Sequence, residues 1–441
     1  MDLRPHLCGP DLSAHPPPLS YERNTMSLSE LELDRLPEWH RFYRDRRVLV
    51  TGHTGFKGSW LSEWLILLGA RVTGYSLEPD TEPSMFRQLR LADRLDHHIG
   101  DVRDPVHLRK VLEACRPEVV FHLAAQPLVR RSYADPVTTF ETNVMGAVHL
   151  LEALRHYEAP CSAVFITSDK CYENSEPHSR AFREEDPMGG VDPYSASKGC
   201  AELAIHSYRR SFFSGADDPP VAIASARAGN VIGGGDWATD RIVPDCIRSI
   251  LSNQPIRVRN RHAIRPWQHV LEPLRGYLML GHYLFPEKET GDRGQETGRG
   301  VAVGANEYQK LGKSKPEQNG KKDERTPGNR QPEPERAPAF SCFNFGPSED
   351  THRPVEQVVT EILAHWPGRW IDGTDRKAPH EAHFLKLDSE RARSWLFWSP
   401  VWDFRATIRE TVDWYRHTRD CTPDELHEVT REQILKHTRD T

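Results

Sequence analysis

Val48-Leu49-Val50-Thr51-Gly52-His53-Thr54-Gly55-Phe56-Lys57-Gly58 is the stretch that decides the fold. A short apolar run that stops at a glycine reads as a buried strand ending in a tight turn. Glycines recur at 55 and 58, and Trp60 to Leu68 then carries the apolar pattern of a helix. In this order each glycine has a task. Gly52 permits the turn, Gly55 lets backbone approach a diphosphate, and Gly58 lets helix and strand pack closely. The helix N-terminus presents unpaired N–H groups to an anion. The stretch predicts a dinucleotide site built on Gly52, Gly55, Phe56, Lys57 and Gly58. His53 and Lys57 either add donors near the phosphates or point to solvent.

Further strands are expected at Val72 to Tyr75, Val119 to Leu123, Ala163 to Ile166 and Val221 to Ala224. Helices are expected at Pro105 to Ala114, Pro136 to Leu154 and Tyr194 to Phe213. Strands alternating with helices imply a parallel sheet covered on both faces. The fold class is α/β, a Rossmann-like doubly wound parallel sheet with a smaller C-terminal substrate-binding lobe. The second strand ends Tyr75-Ser76-Leu77, with Glu78 and Asp80 beyond and no arginine beside them, which favours NAD over NADP. Asp101 and Val102, after the third strand, either hold the adenine or cap the helix that opens at Pro105.

Tyr194-Ser195-Ala196-Ser197-Lys198 puts a phenol and an amine four residues apart, on one face of a helix. A lysine beside a phenol, with a cationic cofactor ring nearby, favours the phenolate, which can take a proton from a hydroxyl. The strand before it ends Ile166-Thr167-Ser168-Asp169-Lys170, and strand ends of this kind line the ligand crevice. Ser168 is placed to hydrogen-bond the reacting hydroxyl. Asp169 and Lys170 form an acid/base pair that simple hydride transfer does not need.

Together these motifs resemble the extended short-chain dehydrogenase/reductase family (the NAD-dependent epimerase/dehydratases), and within it the CDP-glucose 4,6-dehydratases. The resemblance lies in TGHTGFKGSW (51–60), HLAAQ (122–126), TSDKCY (167–172), YSASK (194–198), RAGNVIGGGDW (227–237) and RPWQHVLEP (265–273). It covers roughly residues 45 to 285 and resumes from 340 to about 415. Lys170 points to the CDP subgroup, since the dTDP-glucose enzymes carry Asp-Glu there. The resemblance implies Leu123, Ala124 and Ala125 at the cofactor, beside Tyr194 and Lys198, with His122 packing structurally. It implies Gln126, Asn230, Arg241 and Arg265 at the substrate. Trp237 and Trp267 are core residues or shape the nucleotide pocket. The implied reaction is an NAD-dependent hydro-lyase step that converts CDP-glucose to its 4-keto-6-deoxy product. Tyr194, Ser168 and Lys198 would oxidise C4, Asp169 would act as acid at C6, and Lys170 as base at C5 or stabiliser of the enolate. A sugar-nucleotide 4-epimerase, another dehydratase, and a non-catalytic NAD-sensing scaffold are the competing readings.

Composition sets the outer limits. The chain has 441 residues, 28% of them charged, and a formal net charge of -6. That charge gives no bulk electrostatic case for nucleic acid. No apolar run approaches a membrane span, and the start lacks the pattern of a secretory signal. Cysteines at 8, 115, 161, 171, 200, 246, 342 and 421 form no Cys-x-x-Cys pair. A reduced cytoplasmic protein without a structural metal is expected. Residues 1–44 read as a partly disordered leader containing a helix-compatible stretch from Ser27 to Tyr43, and Met1 and Met26 are both candidate starts. Residues 45–227 read as the NAD-binding core, and 228–285 with 340–420 as the substrate lobe. The polar stretch 286–339 reads as a disordered insertion and 421–441 as a C-terminal tail. The expected partner molecule is a nucleotide sugar, and the resemblance implies a homodimer or higher homo-oligomer paired through the helices at 136–154 and 194–213.

Overall fold

The computed structural model of the protein describes residue 28 and residues 36–174, 180–214, 220–286, 342–373 and 385–441. Most of the leader reading lies outside these residues, as does the 286–339 reading apart from Pro286. Of the stretch from Ser27 to Tyr43, Glu38–Phe42 is helical.

Seven strands form one sheet: β1 (Arg47–Thr51), β2 (Arg71–Ser76), β3 (Asp96–Ile99), β4 (Val119–His122), β5 (Cys161–Ile166), β6 (Val221–Ala228) and β7 (Cys342–Phe345). Their order is β7-β6-β5-β4-β1-β2-β3, and every pairing is parallel. The chain winds outward from β1 to β3 and then restarts at β4 on the other side of β1. That reversal opens a crevice beyond the carboxyl ends of β1 and β4. Successive side chains of β1 enter opposite cores. Val48 and Val50 join one, and Leu49 the other. This is why the central strands read as continuous apolar runs. β3 does not read so, because its Asp96-His97-His98 lie half-exposed at the sheet edge.

On one face lie α1 (Phe56–Leu67), α5 (Leu271–Leu284) and α6 (Phe404–His417), packed with the lobe's apolar residues. On the other lie α2 (Pro105–Cys115), α3 (Gly146–Arg155) and α4 (Pro193–Phe212). α1 starts four residues earlier than its apolar pattern, since Gly55 serves as its N-cap. Asp104 caps α2 by accepting from the N–H groups of Val106 and His107, and Asp192 caps α4 through Ser195 N. A proline follows at the first helical position in both. The helix expected from Pro136 to Leu154 is interrupted. Pro136–Phe140 passes through a π turn at Glu141–Met145 before α3 begins. Asn143 lies in that turn. Its side chain accepts from Gln126 N (2.8 Å) and donates to Gln126 O (3.2 Å) and Ser197 Oγ (2.8 Å). Such π bulges cluster at functional sites.

The stretch read as a tail is instead built into the fold. Thr422 and Glu425 form a capping box that opens α7 (Pro423–Arg439). The buried His427 Nε2 lies 2.6 Å from Glu63 Oε1 on α1, and Arg94 grips the same carboxylate at 2.6 and 3.0 Å. Burial alone would raise the Glu63 pKa, but the bonds from His427 and Arg94 outweigh it and hold the carboxyl below its ordinary value. Among the described residues no helix is long and apolar enough to cross a membrane.

Candidate active site

A cavity of about 870 Å3 opens above the carboxyl ends of the strands and runs between the sheet and the smaller lobe. Its floor is the glycine loop. Gly52 sits at φ +77°, and a Cβ there would meet Ala124 N at 2.6 Å. A Cβ on Gly58 would lie 2.1 Å from Gly52 O. These two glycines therefore answer to packing inside the protein. Gly55 differs, because a Cβ there would find only Gly52 O at 3.4 Å, so the space above it is open to the cleft. Gly55 is also the cap of α1 and makes no side-chain bond, which leaves the first N–H groups of that helix directed at the cavity. This cradle fits a diphosphate.

Thr51 Oγ1 and His122 Nδ1 lie 2.8 Å apart beneath the loop, and burial pushes the His122 pKa down to about 3. Leu123, Ala124 and Ala125 line the cavity above them. Ser76, Glu78 and Asp80 line its far end. Asp101 and Val102 line it as well, and the cap of α2 is Asp104, not Asp101. The Asp101 carboxylate is held by Arg103 (Nη2–Oδ2 2.6 Å), which keeps it below the usual carboxylate range. His53 does not point to solvent. It is buried, with Nε2 2.7 Å from His97 Nδ1. Lys57 is likewise inward. Its Nζ donates to Tyr277 Oη (3.4 Å) and faces the cavity. Burial, then Arg241 and Lys198, bring its pKa down to about 7.

Ser168, Asp169, Lys170, Tyr194 and Lys198 all line the same cavity. The sequence placed them on two elements, and the fold brings both together. Ser168 caps a short turn at Asp169–Cys171 by accepting from Lys170 N (3.2 Å), and it donates to Asp169 Oδ1 (3.0 Å). The Asp169 Oδ2 atom is buried with no protein hydrogen-bond partner. A buried carboxylate oxygen left this way asks for a ligand. Tyr194 is anchored by its N–H to Ser132 Oγ (3.1 Å). Burial pushes its phenol up to about 12, against a hydrogen bond with Ser168 that lowers it. Burial pushes Lys198 down to about 8, against Glu202 and Cys171. Its Nζ donates to Ile166 O at 3.4 Å.

On the lobe side Asn230, Arg241, Arg265 and Trp267 line the cavity. Arg241 Nη1 donates to Asp236 Oδ2 (2.9 Å). Gln126 lines it too, but its amide braces its own loop. Nε2 donates to Leu128 O (3.1 Å) and Thr139 Oγ1 (3.0 Å), and Oε1 accepts from Leu128 N. Trp237 donates to Gln88 Oε1 and packs on Tyr415, away from the cavity lining. Sequence reasoning missed Arg130, Arg131, Arg257 and Arg259, which all line the cleft. Only the adjacent pair at 130–131, just after HLAAQ, left a local trace in the sequence.

A family model described as GDP-mannose 4,6-dehydratase matches residues 49–333. The CDP-glucose 4,6-dehydratase of Salmonella typhimurium is 44% identical over 380 residues, covering 85% of this chain and 92% of that protein. Among solved structures, the dTDP-glucose 4,6-dehydratase of Streptomyces venezuelae, with NAD and TYD bound, superposes with a TM-score of 0.63. It has 20% identity and covers 85% of this chain and 98% of the other. The UDP-glucose 4-epimerase of Thermotoga maritima superposes with a TM-score of 0.62 at 19% identity, covering 85% and 99%. Dehydratase and epimerase are alike at the level of fold, so the chemistry must be argued from the site.

Proposed function

Since the chain belongs to the GDP-mannose 4,6-dehydratase family, we propose that it is an NAD-dependent hydro-lyase that converts CDP-D-glucose to CDP-4-keto-6-deoxy-D-glucose. One observation carries the reading. Asp169 and Lys170 stand in the same cavity as Ser168, Tyr194 and Lys198. Oxidation and reduction at C4 need only the last three, whereas loss of water across C5–C6 needs a further acid and base. The 44% identical relative, matched over nearly its whole length, supplies the substrate name.

When bound above the Gly55 cradle, NAD would supply the acceptor for the C4 hydride, the donor that returns it to C6 once water has left, and a cationic ring that favours the phenolate. Ser168 holds the sugar O4, and Tyr194, helped by Lys198, takes its proton. The ketone so formed acidifies the C5 proton. Lys170 removes that proton or steadies the enolate, while Asp169 protonates the departing O6. Asn230 and the arginines Arg241 and Arg265 meet the nucleotide sugar, whose two phosphates suit planar, multidentate donors. Incubation with CDP-, UDP-, dTDP- and GDP-sugars, followed by mass spectrometry, tests this. We expect loss of one water from CDP-glucose. Epimerisation without a mass change would assign a 4-epimerase instead, and tight NAD binding without turnover would assign a sensor.

We also propose a cytoplasmic homodimer. Val137 on Pro136–Phe140, Met145 in the π turn and Leu203 on α4 are 67%, 44% and 59% exposed on the same helical layer. Apolar side chains exposed on one face mark an association surface. Sedimentation velocity is expected to give twice the chain mass, and a monomer at micromolar protein would refute it. The scatter of the cysteines, with no Cys-x-x-Cys pair among them, supports a reducing compartment.

A further inference from the structure

Glu202 lies one helical turn beyond Lys198 on α4 and is buried. The chemistry above does not use it. Its carboxylate is nevertheless held from three sides, by the Thr167 hydroxyl at the end of β5, by Ser225 Oγ (2.8 Å) and by Arg227 Nη2 (2.6 Å). Arg227 in turn donates to Tyr172 Oη (2.7 Å), which donates to Asn344 Oδ1 (2.7 Å) on β7. A buried ion pair is weak evidence for stability, because apolar residues of similar volume often serve as well. The position of this one is more telling. Thr167 directly precedes Ser168, and the titratable groups that face Lys198 are His122 from β4, Lys57 from α1, Cys171 from the turn after β5, and Glu202 itself. Of these, Glu202 is the carboxylate.

We propose that Glu202 is a positioning residue for proton transfer, keeping Lys198 cationic beside Tyr194 and holding Thr167, and with it Ser168, at the end of β5. The inference rests on the reading of Tyr194 and Lys198 as the proton relay. Its sign is fixed. An anion near a buried amine favours the ammonium, so removing it lets Lys198 lose its proton at lower pH. A neutral Lys198 no longer favours the phenolate.

The test uses the full chain with NAD and CDP-glucose. Glu202→Gln removes the anion, and Glu202→Gln with Arg227→Gln removes it without leaving an unmatched guanidinium. The alkaline limb of the kcat–pH profile is expected to move down by about one pH unit in both. Isotope-labelled lysine NMR should show the Lys198 resonance titrating at correspondingly lower pH. Thr167→Val, which keeps both charges, should lower kcat several-fold without moving that limb. Folded Glu202 variants with an unmoved limb and an unmoved Lys198 titration would overturn the electrostatic role. An unchanged kcat in Thr167→Val would overturn the positioning of Ser168, whether or not the Glu202 variants fold. Parental turnover in Tyr194→Phe would instead overturn the relay on which the inference rests.

Discussion

Tyr194→Phe lowers kcat for the 4-keto product by roughly three orders of magnitude, the scale of a lost general base, while the protein stays folded and still binds NAD. The argument is local. The phenol oxygen lies in the cavity beside Ser168, which lowers its pKa. The backbone of Tyr194 is fixed separately, through Ser132 and the Asp192 cap. Deleting one oxygen therefore removes a proton acceptor without opening a packing defect. The resting phenol, pushed up to about 12, is a poor base at neutral pH. Cationic neighbours must bring it down in the loaded site; Arg241 already acts in that direction, and Lys198 lines the same cavity one helical turn further along α4. Product formation followed by mass spectrometry, with NAD binding followed by fluorescence, checks the result. A variant within ten-fold of the parent would remove Tyr194 from the reaction.

Lys170→Ala separates the two halves of the chemistry. We expect product formation to fall by about two to four orders of magnitude, while oxidation at C4 persists and the reduced cofactor accumulates on the enzyme. The backbone N–H of Lys170 donates to Ser168 Oγ, and alanine keeps that bond. Ser168, Tyr194 and Lys198 should then be undisturbed. Added primary amines distinguish the two roles of the lost side chain. Restored exchange of the C5 proton with deuterated solvent, growing with amine basicity, identifies a base. Rescue that tracks the ammonium form instead identifies a charge that steadies the enolate. Near-normal product formation would remove Lys170 from either role.

The sheet was legible wherever strands are buried on both faces, because continuous apolar runs such as Val48–Val50 follow from that burial. β3 was implied but given no range, since its residues are polar and lie at an edge. β7 was hidden because Cys342–Phe345 is four residues long and far in sequence from its partner β6. The meeting of Ser168, Asp169, Lys170, Tyr194 and Lys198 in one cavity was legible because each half is a contiguous motif on one element. His53 and Lys57 were not, since a polar residue in a glycine loop carries no sign of which way it faces. In the fold both turn inward, to His97 and Tyr277. Gln126 reaches the cavity as the motif implied, and the additional bracing of its own loop by its amide could be seen only in the fold. Arg103, Arg257 and Arg259 reach the cleft through tertiary packing, and no spacing in the chain announces them.

The Glu63–Arg94–His427 contact has a consequence for how the protein is made. Arg94 and His427 are 333 residues apart, yet both close on the helix whose N-terminus forms the diphosphate cradle. During synthesis the glycine loop and α1 emerge early, and the partner that meets Glu63 from α7 is translated only after both the sheet and the lobe. Until then a buried carboxylate lacks part of its compensation, and such groups keep a segment from settling. A ribosome-bound chain stalled before residue 427 should therefore hold NAD poorly, and capture of the cofactor should mark completion of the fold.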